Sequence, residues 1–271
     1  MEEFERIIKE IKEVKIQGAN NIAIAGVKAF LLDPSEEGAK GIIATRPTEP
    51  LLQNAIKLLL QSKDKESSAI KFLRYMKESE KKTARYGEKL IKNDMNVFTH
   101  CHSTTVMEIL KEAAKNGKKF VVYNTEAAPL YQGRKTAKEL ADFGIKVIHF
   151  SDVGMEQAIK NCDLFLFGAD AFLDKGVVNK GGTSVLTELA RLYRIPSYSC
   201  GFSLKYTSYI KIEFRPGKEV WDERNKNIFV VNPSFDFVNK SHLTGVISEF
   251  GVLNYKNFIN KSKKHLKKFF S

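Results

Sequence analysis

Long apolar runs are missing from this 271-residue chain: none approaches the ~20 residues that a membrane helix needs. Its first residues, MEEFERIIKEIKEVK, alternate charge with aliphatics and lack the apolar stretch of a secretory signal, so a cytoplasmic protein is expected. Cysteine is scarce as well. Cys101, Cys162 and Cys200 are odd in number and widely spaced, which argues against a disulfide framework and against a four-ligand zinc site. No GxGxxG follows an apolar strand pattern, and the GxxxxGK[ST] spacing of a Walker loop is absent, so a dinucleotide enzyme of the usual kind is not expected. No internal repeat stands out, and the only biased segment is a lysine-rich tail. What remains is a globular balance, 43% hydrophobic and 28% charged, which excludes a disordered or fibrous chain.

The formal charge of +12 is unevenly spread: the last 16 residues carry six lysines and no acid, half of the total. Such a tail suits nucleic acid or an acidic partner, or is simply a solvated helix face. Tyr255, Phe258, Ile259, Ser262, Leu266, Phe269 and Phe270 fall near helical spacing, which predicts one face docked on the body.

Residues 1–92 read as an all-helical unit. Phe4, Ile7, Ile8, Ile11 and Val14 form one stripe, and Ile22, Ala25, Ala29 and Leu32 another. Residues 33–41 read as a polar loop with two glycines. Pro47 and Pro50 suit the start of a helix, with Thr48 as its cap. A helical pattern returns from Lys65 to Lys92. At Asn93 the character changes, and short apolar runs begin to alternate with helical ones. Strands are expected at Val97–Thr99, Phe120–Asn124, Val147–Phe150, Leu164–Phe167, Ser197–Cys200 and Phe229–Val231. The fold class is therefore α/β: an N-terminal helical domain, residues 1–92, followed by a Rossmann-like, doubly wound parallel-sheet domain, residues 93–271, with the basic tail. Ligands of such sheets bind at the carboxyl ends of the strands.

Cys101 follows the first strand, in Thr99-His100-Cys101-His102-Ser103-Thr104-Thr105. A thiol at a helix N-terminus is expected to have a lowered pKa, more so beside protonated histidines, and the following backbone N–H groups are free for an anion. A buried structural cysteine beside capping residues is the alternative. His100 and His102 lack a third metal ligand at supporting spacing. Asp170 follows the fourth strand and is expected in a partly buried cleft, where a raised pKa allows it to donate a proton near neutrality. Asp174-Lys175-Gly176 reads as a tight turn with Val177-Val178 returning. Asn179-Lys180-Gly181-Gly182-Thr183 then opens a helix, where a lysine beside free glycine amides suits a phosphate. Arg46 is placed to clamp a second phosphate, or is a surface arginine. Gln132-Gly133 and Lys205 are weaker signals, and Cys162, Cys200 and His149 read as packing residues.

Taken together, Gly18-Ala19, Arg46-Pro47-Thr48, Thr99-His100-Cys101, Thr125-Glu126 with Pro129 and Gln132-Gly133, Thr136-Ala137-Lys138-Glu139-Leu140, Gly168-Ala169-Asp170, Asn179-Lys180-Gly181-Gly182-Thr183 and Asn232-Pro233-Ser234-Phe235-Asp236 resemble one superfamily over nearly the whole chain. It holds the initiation-factor-2B regulatory subunits and the sugar-phosphate aldose–ketose isomerases, among them methylthioribose-1-phosphate isomerase and archaeal ribose-1,5-bisphosphate isomerase. Arg46-Pro47-Thr48 with Asn54-Ala55 looks like the last of these. The resemblance implies a homo-oligomer, a dimer or a hexamer, and isomerisation of a phosphorylated ribose, with ribose 1,5-bisphosphate the best candidate. Cys101 is then the base and Asp170 the acid, while Gly18, Ala19, Arg46, Gln132, Asn179, Lys180 and Lys205 bind substrate. It implies no metal or organic cofactor, and AMP as an activator. Its alternatives are methylthioribose 1-phosphate as substrate, or a non-catalytic regulatory subunit that binds a translation factor. The chain departs from the isomerase pattern twice: Gln17 and Ala128 stand where arginines are usual. Arg134 is the neighbouring cation that the sequence offers in compensation.

Overall fold

The computed structural model describes residues 2–212 and 214–270. Five helices precede the first strand: α1 (Glu2–Lys12), α2 (Ala19–Leu32), α3 (Glu36–Thr45), α4 (Pro50–Gln61) and α5 (Lys65–Gly87). Each start has a local cause. In α1, Ile7, Ile8 and Ile11 are buried and three glutamates occupy the first turn, where the dipole favours negative charge. The Asp64 side chain caps α5 by accepting from Ser67 N at 2.9 Å.

Two local elements differ from the pattern expected of them. The polar stretch 33–41 is largely helical, because the Ser35 hydroxyl accepts from Gly38 N at 2.9 Å and Glu36 and Glu37 fill the first turn of α3. That cap outweighs the two glycines. Thr48 does not cap α4. Its hydroxyl donates to Lys211 O at 3.2 Å, and the chain enters through Glu49 with Pro50 in the first turn.

Strands and helices then alternate: β1 (Asn96–His100), α6 (Thr104–Lys115), β2 (Val121–Thr125), α7 (Gln132–Asp142), β3 (Lys146–Phe150), α8 (Met155–Ile159), β4 (Leu164–Gly168), β5 (Ala171–Leu173), β6 (Gly176–Lys180), α9 (Thr183–Leu192), β7 (Ser197–Cys200), β8 (Phe235–Asn239), β9 (Gly245–Ser248), β10 (Gly251–Leu253) and α10 (Tyr255–Phe270). The main sheet has the order β10-β9-β7-β4-β1-β2-β3 and is parallel except for β10. From β1 the chain moves outward to β2 and β3, then crosses to β4, so the switch point lies between β1 and β4. A hairpin inserted after β4 supplies β5 and β6, which join β8 in a small antiparallel sheet.

Phe229–Val231, expected as a strand, is irregular, and Phe229 is 85% exposed. An apolar triplet with no face to cover and no ladder to join does not become a strand. The strand that follows β7 is β8, which pairs Asp236 with Asn179 of β6. The docked face of α10 is present: Tyr255, Phe258 and Ile259 join the sheet core, and Leu266 and Phe269 pack on the helical core, while the Phe270 side chain lies outside the described residues. That helical core also takes in Phe202 and Leu204 from the turn after β7, so the two regions share side chains. Among the described residues, no helix is long and apolar enough to cross a membrane.

Candidate active site

The exits of β1 and β4 lie side by side, with His100 in register with Phe167. Cys101 takes the left-handed conformation at φ 66°, which turns the chain sharply between β1 and α6. Gly168 makes the close approach feasible, since a Cβ there would stand 2.7 Å from Ser103 Oγ. Cys101 and Asp170 therefore face the same cleft, at the switch point between their strands. The cleft encloses about 810 Å³ of space, part of it open to solvent. All nine residues expected at the site line it: Cys101 and Asp170 with Gly18, Ala19, Arg46, Gln132, Asn179, Lys180 and Lys205.

Different elements deliver them. Gly18 and Ala19 form the N-terminus of α2, which Asn20 ties to α6 by donating to Thr104 Oγ1 at 3.2 Å. Arg46 follows α3, is buried, and pairs with Glu49 at 3.5 Å. Lys205 sits on a short turn after β7, held by Asn54 of α4, whose amide donates to Leu204 O at 2.7 Å and Tyr206 O at 3.1 Å. The Lys205 ammonium donates to Ala169 O at 2.7 Å, beside Asp170. Burial lowers its proton affinity, and the nearby Asp170, Glu49 and Glu80 carboxylates oppose that. Asn179 donates to Thr183 Oγ1 at 2.9 Å, and Lys180 ends β6.

Several chemical expectations change. The Cys101 thiol is not acidified: burial pushes its pKa up to about 11, against the pull of Lys180. The histidines do not help, because they are held neutral. Burial lowers the pKa of His100, and that of His102 to about 4. His100 Nε2 lies 2.9 Å from Gly181 O, a carbonyl that only accepts, so Nε2 carries the proton. Thr136 Oγ1 donates to Cys101 O at 2.8 Å and therefore accepts from His102 Nδ1 at 2.9 Å. Both rings are thus structural supports of the Cys101 turn. The glycine amides beside Lys180 are not free either. Gly181 N donates to Ser234 O at 2.8 Å, and Gly182 N and Ser184 N donate to Asp236 Oδ2 at 2.7 and 3.0 Å. A phosphate near Lys180 meets the ammonium, and the neighbouring amides are already used.

Arg215 and Glu49 also line the cleft and escaped the sequence reading. Arg215 lies in the irregular segment between β7 and β8, bridged to Asn232, and its guanidinium pairs with Glu219 at 2.5 Å. No motif marks it. Only the bridge brings it to the cleft.

The Initiation factor 2 subunit family model matches residues 15–255. The chain belongs to this family. A ribose 1,5-bisphosphate isomerase of Archaeoglobus fulgidus is 29% identical, over 93% of this chain and 90% of that protein. A methylthioribose-1-phosphate isomerase of Thermoanaerobacter is 30% identical, over 93% and 88%. Among solved structures, the Pyrococcus horikoshii translation initiation factor eIF-2B superposes with a TM-score of 0.87 at 28% identity, covering 96% of this chain and 99% of that one. Family membership thus follows the motif order read from the sequence. Within the family, the two departures of this chain have structural settings. Gln17 lines the cleft beside Gln132, to which it is hydrogen bonded at 3.3 Å. Ala128 lies at a neighbouring hollow that shares Lys180 and Ser234 with the cleft, and its amide donates to Asp152 at 2.8 Å. Arg134 does not replace a cation there: it pairs with Glu126 and stacks on Tyr131 at 4.0 Å, outside the cleft lining. The additional cation of the cleft is Arg215.

Proposed function

We propose that the protein is an aldose–ketose isomerase of phosphorylated ribose, with ribose 1,5-bisphosphate converted to ribulose 1,5-bisphosphate. The observation that carries this reading is the cation arrangement around Cys101 and Asp170. Arg46 and Lys205 come from the side of the helical region, and Lys180 and Arg215 from the side of the small sheet. Two pairs of cations suit two phosphates. A single phosphate with an apolar tail, as in methylthioribose 1-phosphate, leaves one pair unused.

In the reaction, Asp170 donates a proton to the ring oxygen, and the bond from that oxygen to C1 breaks. The positive charge left at C1 acidifies the C2 hydrogen. Cys101, as thiolate, takes that proton, and a C1–C2 enol phosphate forms. The thiol returns the proton to C1, the C2 hydroxyl proton goes to the Asp170 carboxylate, and C2 becomes the ketone. Protons balance and the pair is restored. The active form has the shared proton on Asp170 and not on sulfur. With a thiol pKa of about 11, that form is a minor one in the empty cleft. AMP acts in this reading as an activator, and identical chains assemble into the working enzyme. The exposed Tyr209, Phe214, Trp221 and Phe229 between β7 and β8 are consistent with a face that another chain covers.

The test is turnover of ribose 1,5-bisphosphate by the purified protein, with and without AMP, followed as ribulose 1,5-bisphosphate formed. Turnover is expected, with a loss of 10²–10⁴-fold in Cys101→Ser and in Asp170→Asn. Full activity in Cys101→Ser overturns the base assignment. A folded, phosphate-binding protein without turnover of either this sugar or methylthioribose 1-phosphate shifts the reading to a regulatory subunit.

A further inference from the structure

Cys101 is joined to the loop between α1 and α2 by a chain of hydrogen bonds that ends on a strained residue. Val14 has φ 59°, an uncommon conformation for a β-branched side chain. Its carbonyl accepts from Gln17 Nε2 at 3.0 Å. Gln17 Oε1 accepts from Gln132 Nε2 at 3.3 Å, and Gln132 Oε1 accepts from the Cys101 thiol, also at 3.3 Å. The direction of the chain is forced from its far end. A backbone carbonyl only accepts, so Gln17 must present its NH2 to Val14 and its oxygen to Gln132. Gln132 must then present NH2 to Gln17 and oxygen to sulfur. An oxygen facing sulfur is satisfied by S–H and repels a thiolate.

We infer that Gln17 is a positioning residue that, through Gln132, holds the catalytic thiol in its protonated form until substrate enters. Gln17 borders Gly18 and Ala19, so a phosphate arriving at the start of α2 meets the loop that sets the chain's direction. The charged groups acting on the thiol from other elements are Lys180 of β6, Asp170 after β4 and Asp152 after β3. Lys180 favours the thiolate and the two aspartates oppose it. None of the three belongs to the chain, so altering Gln17 leaves them in place. His100 and His102, which flank the thiol, are neutral.

The inference takes Cys101 as the base from the reading above, but its test needs no sugar. The rate of Cys101 alkylation by iodoacetamide is measured against pH in the full-length protein, with Cys101→Ser as the blank, because Cys162 and Cys200 are buried. In Gln17→Leu, Gln132 loses its acceptor and is free to turn its NH2 toward sulfur. The midpoint falls by about one pH unit, and alkylation at pH 8 quickens about tenfold. In Gln17→Glu the acceptor for Gln132 remains and a negative charge is added, so the midpoint rises. A fall in the first variant with a rise in the second is the expected result. An unchanged midpoint in a folded Gln17→Leu, or shifts of the same sign in both, overturns it. Should Gln17→Leu not fold, Gln17→Ala takes its place, because it also removes the acceptor for Gln132 without adding charge: a fall supports the relay, and no fall refutes it. Absence of turnover on sugar phosphates, with these shifts present, counts against the isomerase reading and not against the relay.

Discussion

Asn54 is the joint between the helical region and Lys205, and its removal has a calculable effect. Its side chain donates to Leu204 O at 2.7 Å and Tyr206 O at 3.1 Å, which pins the turn that carries Lys205. Leu204 is buried in the helical core. In Asn54→Ala, two hydrogen bonds worth about 1 kcal/mol each are lost, and one carbonyl is left without a partner away from water. The expected destabilisation is about 2–3 kcal/mol. For 271 residues the unfolding entropy is about 0.6 kcal/mol/K near the midpoint, so Tm falls by about 4–5 °C. Asn54→Asp sets a carboxylate against the same two carbonyls and lowers Tm further. Scanning calorimetry reads both variants, and titration with inorganic phosphate reads the displacement of Lys205 as weaker binding. An Asn54→Ala protein that unfolds within about 1 °C of the parent, or an aspartate tolerated better than alanine, rules out this role of Asn54.

Other outcomes follow from the same geometry. His102, with its pKa depressed to about 4 by burial, binds a proton in the unfolded chain before it does in the folded one. Its contribution is present in full above pH ~6.5 and is lost as pH falls from there toward 4. Its total is on the order of 3 kcal/mol, so denaturation midpoints in urea should decline over that window and less steeply in His102→Asn. Arg215→Ala should weaken inorganic phosphate binding about tenfold or more while Tm holds, and an unchanged titration excludes Arg215 from the anion site. For the basic helix, Lys261→Gln with Lys264→Gln and Lys267→Gln should abolish salt-sensitive retention on a polyanion column without a change in fold. Deleting residues 256–271 is the wrong test, because it also removes the buried Phe258 and Ile259, and such large-to-nothing core losses cost about 3–5 kcal/mol per aromatic.

Strand–helix alternation was legible because each βα unit writes its own period. Val97–Thr99, Leu164–Phe167 and Ser197–Cys200 lie inside observed strands, and the place of Cys101 and Asp170 on one cleft follows from the rule that ligands of such sheets bind after the strands. What escaped the sequence depends on partners far along the chain. The amides of Gly181 and Gly182 looked available until Ser234 and Asp236, 53 and 54 positions away, were seen to occupy them. Cys101 looked acidic because its place at a helix start is local information, whereas the burial that raises its pKa is not. Arg215 carries no motif and reaches the cleft through a bridge to Asn232. Phe229–Val231 has strand composition without a neighbouring strand to pair with, and composition alone cannot supply one.

A cleft that is to bind anions, as proposed, also has to stay folded while empty. Four cations converge on it, and unpaired they would repel one another in a partly desolvated space. Carboxylates relieve that strain: Glu49 pairs with Arg46, Glu219 with Arg215, and Asp170 lies beside Lys205. Lys180 alone among these cations has neither a carboxylate nor a hydrogen-bond partner among the described residues, and it is also the one that acts on Cys101. A phosphate that takes up Lys180 removes the one nearby charge favouring the thiolate and brings negative charge of its own. Under the proposed isomerisation, ionisation of sulfur after binding is then an internal transfer to Asp170 and not a loss of the proton to solvent. That transfer needs both groups at one switch point, which the neighbouring exits of β1 and β4 supply, while Gly18, Ala19 and Arg46 of the helical region complete the lining of the cleft there.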